Sequence, residues 1–145
     1  MSPEESIRHV VAAYAHHVDS GRVDDLLALF LSDAVLEIVG QARHEGIDAI
    51  RAMFARGAEH LSDSEDVPRI RHHVTSQLID VESADEARSS CYWLAVVGSQ
   101  GVDHWGRYVD RLRRVDGAWR FAQRRIYLDG AVPGGWGSRG AEWNR

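Results

Sequence analysis

The spacing of apolar positions changes character twice along this chain. Ile7, Val10, Val11, Tyr14 and Val18 recur every three or four residues, which is one face of a helix. Ser2-Pro3-Glu4-Glu5 supplies a cap, a proline at the first helical position and acids in the first turn, and Ser20-Gly21 ends the helix. A shorter helix is predicted through Val23, Leu26, Leu27, Leu29 and Phe30, broken at Ser32-Asp33. Val35 to Val39 reads as a strand, Gly40 to Gly46 as a polar turn or short hairpin, and Ile47 to about His60 as a third helix. Residues 61–68 are acidic and loop-like.

From residue 69 onward the period becomes two. Arg69 to Val81 alternates, Ala87 to Val97 is strongly apolar, His104 to Arg114 alternates again, and Trp119 to Leu128 forms a last strand. Turns fall at Ser83-Ala84-Asp85, at Gly98-Ser99-Gln100-Gly101 and at Asp116-Gly117, the last a strong hairpin signal. Helices segregated from an antiparallel meander give the α+β class, with a long curved sheet wrapped around the first helix and a dry central pocket. The 145 residues fit one domain, 1–145, in which 130–145 is a glycine- and tryptophan-rich tail. Trp136 and Trp143 are costly to leave in water, so the tail is expected to pack, at the pocket mouth or on a neighbouring subunit.

Composition narrows the classes. The net charge of −5 argues against a nucleic-acid partner. All 17 basic residues are arginine, the mark of a GC-rich bacterial coding sequence. No stretch approaches the ~20 apolar residues of a membrane span, and the acidic start has no leader-like apolar run, so a cytoplasmic location is expected. Cys91, the single cysteine, sits in an apolar run and reads as a small buried hydrophobe. Among the histidines, His9, His16, His17 and His44 show no metal-ligand spacing, and no metal or cofactor is expected.

The candidate chemistry lies in two distant segments. Asp19 closes the first helix, and Arg71-His72-His73 opens a strand. A carboxylate beside an imidazole fixes its tautomer and stabilises its cation, which makes a general base near neutral pH. A carboxylate at a helix C-terminus is disfavoured by about 0.3–1 kcal/mol, so Asp19 needs a compensating partner. His72 and His73 point to opposite faces of a strand. We take His73 as the inward one; a bulge would reverse that choice. Tyr14, His104 and Tyr108 are candidates for the acid or oxyanion donor. Trp119, Phe121, Arg125 and Tyr127 share strand parity, which favours Arg125 over Arg124 inside.

These residues fall in an ordered set: Tyr14 with Asp19; Asp24, Leu27, Leu29 and Phe30; Asp33-Ala34-Val35; Gly46, Ile50 and Phe54; Arg71-His72-His73; Gly106-Arg107-Tyr108 with Asp110; Gly117, Trp119 and Phe121. The set resembles the SnoaL-like branch of the nuclear transport factor 2 superfamily over about residues 5–129. The resemblance implies a cone fold with a central pocket. Within that superfamily it is nearest to the Asp–His dyad enzymes: scytalone dehydratase, hexachlorocyclohexane dehydrochlorinase and the bile-acid dehydratases. It implies Asp19 and His73 as the dyad and His104 as a second pocket histidine, and it points near Arg124 rather than Arg125.

The function expected is cofactor-independent elimination or isomerisation of a small cyclic hydrophobic molecule of polyketide, steroid or aromatic origin. Phe54, Trp93, Trp105 and Trp119 would form apolar wall, and Arg124 or Arg125 would meet an anionic group. A polyketide cyclase using the same pocket, or a small-molecule binder without catalysis, are the alternatives. A homodimer or higher homo-oligomer is expected, as is common among such relatives.

Overall fold

A computed structural model of the chain describes residues 1–62, 69–98 and 100–139. Helix α1 (Pro3–Asp19) begins with a reciprocal cap. The Glu5 amide donates to Ser2 Oγ at 3.1 Å, and the Ser2 amide donates to Glu5 Oε2 at 2.7 Å. Its stripe of Ile7, Val10, Val11, Tyr14 and Ala15 is buried. Helix α2 (Val23–Leu27) is shorter than its apolar pattern predicts. The Leu29 carbonyl accepts from the Phe121 amide at 2.8 Å, which draws Leu29 and Phe30 out of the helix and into the sheet.

Strands β1 (Phe30–Ile38) and β2 (Ala42–Glu45) form the short hairpin, α3 (Ile47–Ser62) follows, and β3 (Ile70–Val81), β4 (Glu86–Val97), β5 (Gly101–Val115) and β6 (Ala118–Ala131) make the meander. Of the stretch expected as a loop, residues 63–68 lie outside the described residues, as does Trp143. The sheet order is β2-β1-β6-β5-β4-β3, with β1 and β6 parallel and all other neighbours antiparallel. At the β5–β6 turn both Asp116 (φ 53°) and Gly117 (φ 78°) adopt positive φ, as a two-residue hairpin of primed type requires. The architecture is α+β: a curved, unclosed sheet whose concave face receives α1, with Phe30, Leu36, Cys91, Leu112 and Phe121 in the shared core. Among the described residues no helix is long and apolar enough to cross a membrane.

Register breaks decide which side chains face inward. In β3, Ser76 (φ 54°) and Gln77 stand opposite the single residue Cys91, a bulge between Thr75 and Leu78. Upstream of it Ile70, His72 and Val74 face inward; downstream it is Gln77, Ile79 and Val81. His73 is therefore exposed and His72 takes the inward place, the reverse of the expectation from sequence. In β6 the extra residue is Ala122, since Phe121 pairs with Leu112 and Gln123 with the adjacent Arg111. Trp119 and Phe121 point inward, but beyond the bulge the inward residues are Arg124 and Ile126. The shared face expected for Trp119, Phe121, Arg125 and Tyr127 is thus split. Arg125 pairs with Glu37 at 3.1 Å on the other face and packs over Tyr127.

Two tryptophans expected in the pocket wall are elsewhere. Trp105 is 39% exposed on the outer face, lying over Gly130. Trp119 is buried core and does not line the cavity. Gly106 matters more than either. A Cβ there would lie 1.7 Å from the Tyr127 carbonyl oxygen and 3.0 Å from the Trp93 ring. The first overlap is backbone on backbone, so no rotamer change relieves it. Gly106→Ala is expected to cost about 3 kcal/mol, lowering the melting temperature by about 10 °C. An unchanged melting curve would refute the close approach of β5 to β6.

Candidate active site

The cavity lies between α1, α3 and the concave sheet and has a volume of about 450 Å³, within the range of small-ligand sites. Its walls are mainly apolar, with Val18, Leu26, Met53, Phe54, Trp93 and Ile126 among them. Its polar lining includes Tyr14, His17, Asp19, His72, His104 and Tyr108, together with Gln41, Arg69 and Arg71.

Asp19 stands at the last turn of α1 and meets β3, an edge strand of the sheet. An edge strand presents backbone N–H groups with no strand partner. The His72 amide is one of these, and it donates to Asp19 Oδ2 at 2.8 Å. His72 Nδ1 lies 2.6 Å from Asp19 Oδ1. Two donors thus answer the unfavourable placement of a carboxylate at a helix C-terminus. The Asp19 side chain is 8% exposed and that of His72 is 16% exposed. The ionised carboxylate only accepts, so Nδ1 carries the proton and the Nε2 lone pair of neutral His72 remains available.

A second pair of the same type stands nearby. Asp103 is the extra residue of a bulge in β5: Ala95 pairs with His104 and the adjacent Val96 with Val102. Both Asp103 and His104 are buried, and His104 Nδ1 lies 2.8 Å from Asp103 Oδ2. Burial pushes His104 below the ordinary histidine range. The nearby His72 pushes the same way, and the Asp103 carboxylate opposes them only in part. Burial alone would raise Asp103, but hydrogen bonds from the Gly137 amide, His104 and the Trp136 amide hold it below its ordinary value. The His72 and His104 rings are 6.3 Å apart, centre to centre, and both lean on Trp93, at 5.8 and 5.5 Å.

Tyr108 stacks on Trp93 at 5.5 Å and meets Tyr14 edge-on at 5.7 Å. Burial raises both phenols, Tyr108 well above its ordinary value, with Arg124 opposing the effect in each. Both therefore stay protonated, as hydrogen-bond donors, through neutral pH. Beneath them Arg124 makes two hydrogen bonds to Asp110, at 2.8 and 2.7 Å, with both side chains fully buried. Its guanidinium lies 4.1 Å from the ring centres of Tyr14 and Tyr108 and 4.2 Å from that of Phe121. Of the two candidate arginines, Arg124 points inward, yet it is sealed under the tyrosines and neither arginine lines the cavity. Burial pushes the Cys91 thiol up to about 11, leaving it a thiol at neutral pH.

The structure thus brings Asp19, Tyr14, His104, Tyr108, Phe54 and Trp93 into one cavity, puts His72 where His73 was expected, and leaves out Trp105, Trp119, Arg124 and Arg125. Sequence reasoning missed Asp103 and weighed His17 only as a metal ligand. Strict alternation forbids Asp103 and His104 from facing the same side, and only the bulge permits it. The signal for Asp103 lay in the tail, where Gly135 and Gly137 flank Trp136 and mark a close backbone approach. Among the described residues no three His, Cys, Asp or Glu side chains converge as a metal-binding group.

None of the curated proteins matches the sequence. Among solved structures, a putative scytalone dehydratase from Novosphingobium aromaticivorans is 23% identical, with 89% of this chain and 85% of that one covered and a TM-score of 0.76. LinA is 17% identical, with 90% of each chain covered and a TM-score of 0.75. An NTF2-like protein with a cystatin-like fold from Novosphingobium aromaticivorans is 23% identical, with 95% of this chain and 87% of that one covered and a TM-score of 0.73. These likenesses establish the fold. The family profile of the SnoaL-like domain matches residues 1–125, and the chain belongs to that family.

Proposed function

We propose that this protein is a cofactor-independent lyase of the dehydratase type, or a mechanistically related isomerase, acting on a small cyclic hydrophobic molecule. The observation that carries the reading is the Asp19–His72 pair inside an apolar cavity. His72 Nε2 removes a proton from the carbon beside a carbonyl, and Asp19 stabilises the resulting imidazolium. Tyr108, with Tyr14 beside it, donates a hydrogen bond to the carbonyl oxygen as negative charge builds there. The new C=C bond forms as the C–O bond of a β-hydroxyl breaks. The proton held by His72 passes to the departing oxygen, giving water and restoring the neutral imidazole. His104, neutral and protonated on Nδ1, has its Nε2 left to accept from a substrate hydroxyl.

The test is a screen of cyclic β-hydroxy carbonyl compounds, following the absorbance of the conjugated product, with wild type and Asp19→Asn side by side. Turnover that falls about 100-fold or more in Asp19→Asn is expected. Equal turnover by both proteins would remove the dyad from the mechanism. Ligand binding without turnover, equally tight in both, would instead assign the chain to the non-catalytic binders.

A further inference from the structure

The Asp103 carboxylate holds more than a histidine. Its Oδ1 accepts from the Trp136 amide at 2.8 Å, and its Oδ2 accepts from the Gly137 amide at 2.6 Å and from His104 Nδ1 at 2.8 Å. Its own carbonyl accepts from the Val132 amide at 2.8 Å. The segment 132–138 is thereby drawn across the cavity wall, where Trp136 and Gly137 become lining and the Trp136 ring lies 6.2 Å from that of His104. The approach is close enough to exclude side chains. A Cβ on Gly135 would lie 2.6 Å from Asp103 Oδ1, and one on Gly137 would lie 2.5 Å from His104 Cγ.

We propose that Asp103 is a positioning residue that couples closure of the segment 132–138 over the cavity to the tautomer of His104. One buried carboxylate oxygen serves both the Gly137 amide and the His104 ring, so neither contact is set independently. With the segment seated, His104 holds its proton on Nδ1 and turns an acceptor, Nε2, to the ligand. With the segment lifted, water reaches the carboxylate and competes with the ring for Oδ2, the Trp136 wall opens, and the hold on the Nδ1 tautomer of His104 weakens. The coupling stands on this geometry alone and does not require the cavity to be catalytic.

The substitution Asp103→Asn separates the possibilities, because an amide has one acceptor where the carboxylate has two. Whichever way the amide is turned, it presents N–H to an existing donor or to His104 Nδ1. The Trp136 and Gly137 amides are expected to exchange hydrogen about tenfold faster or more, the loss of a charge-assisted hydrogen bond. In ¹⁵N spectra of histidine-labelled protein, the fraction of His104 that carries its proton on Nδ1 is expected to fall, while that of His72 stays in place. Exchange that rises with His104 unchanged, or a tautomer that changes with the segment still protected, would overturn the coupling. Gly137→Ala leaves Asp103 intact and pushes the segment off His104, so it serves if Asp103→Asn does not fold. It is expected to speed exchange at residues 136–137 and shift the His104 resonances, and an unmoved His104 would overturn the proposal. Neither variant needs a substrate, so failure here is distinct from failure of the lyase reading.

Discussion

His72→Ala is expected to lower turnover of a dehydration substrate about 10²–10⁴-fold, the usual contribution of a positioned general base, while His73→Ala leaves it within about twofold. The contrast is diagnostic because the residues are adjacent and chemically identical. His72 receives the Asp19 carboxylate on both its ring and its amide, whereas His73 is exposed on the opposite face. The measurement is kcat and KM for both variants on the substrate found by screening. Loss confined to kcat marks an interaction made in the transition state, and loss confined to KM marks simple binding. Comparable losses in both variants, or a loss only in His73→Ala, would contradict the inward placement of His72.

The second large effect concerns stability. Asp110→Asn is expected to destabilise the fold by about 3–5 kcal/mol, because it strands the fully buried Arg124 guanidinium without a counter-charge. That is a substantial share of the roughly 5–15 kcal/mol available to a domain. Removing both charges together, as in Asp110→Leu with Arg124→Met, is expected to recover most of the loss, since two desolvated ions give way to apolar packing. Urea unfolding of the single and double variants measures the difference. A cost below about 1 kcal/mol for Asp110→Asn would mean that the aromatic rings around Arg124 suffice to hold its charge. The pair also supports the site: Arg124 sits under the rings of Tyr14 and Tyr108, so its loss removes the floor of the donors.

Much of this was legible in the residues themselves. The helical stripe ending at Asp19, the Asp116-Gly117 hairpin and the alternation from Arg69 onward give the α+β cone, and the ordered motifs give the family. The meeting of Asp19 with the Arg71-His72-His73 segment was legible too. The choice within that segment was not, because alternation carries no record of where it slips. Ser76 and Ala122 are ordinary residues in the sequence, yet each takes up one extra position and reverses every inward assignment on one side of it. Arg125, Tyr127 and His73 were misplaced for this one reason. Trp105 erred differently: it lies on the exposed outer face of β5 and covers Gly130 instead of entering the cavity.

The bulges give the sheet a phase. In β3, the hydrophobic residues past Ser76 keep time with odd positions and the site keeps time with even ones. Flattening the bulge with every residue kept would impose one beat along the whole strand: either Ile79 and Val81 stay inside and His73 comes round to Asp19, or His72 stays and the distal apolar face turns to water. Deleting Ser76 removes the conflict instead, since Ile70, His72, Val74, Gln77, Ile79 and Val81 then alternate on one face without a break; the extra residue is what lets the chemical half and the hydrophobic half of the strand keep different counts.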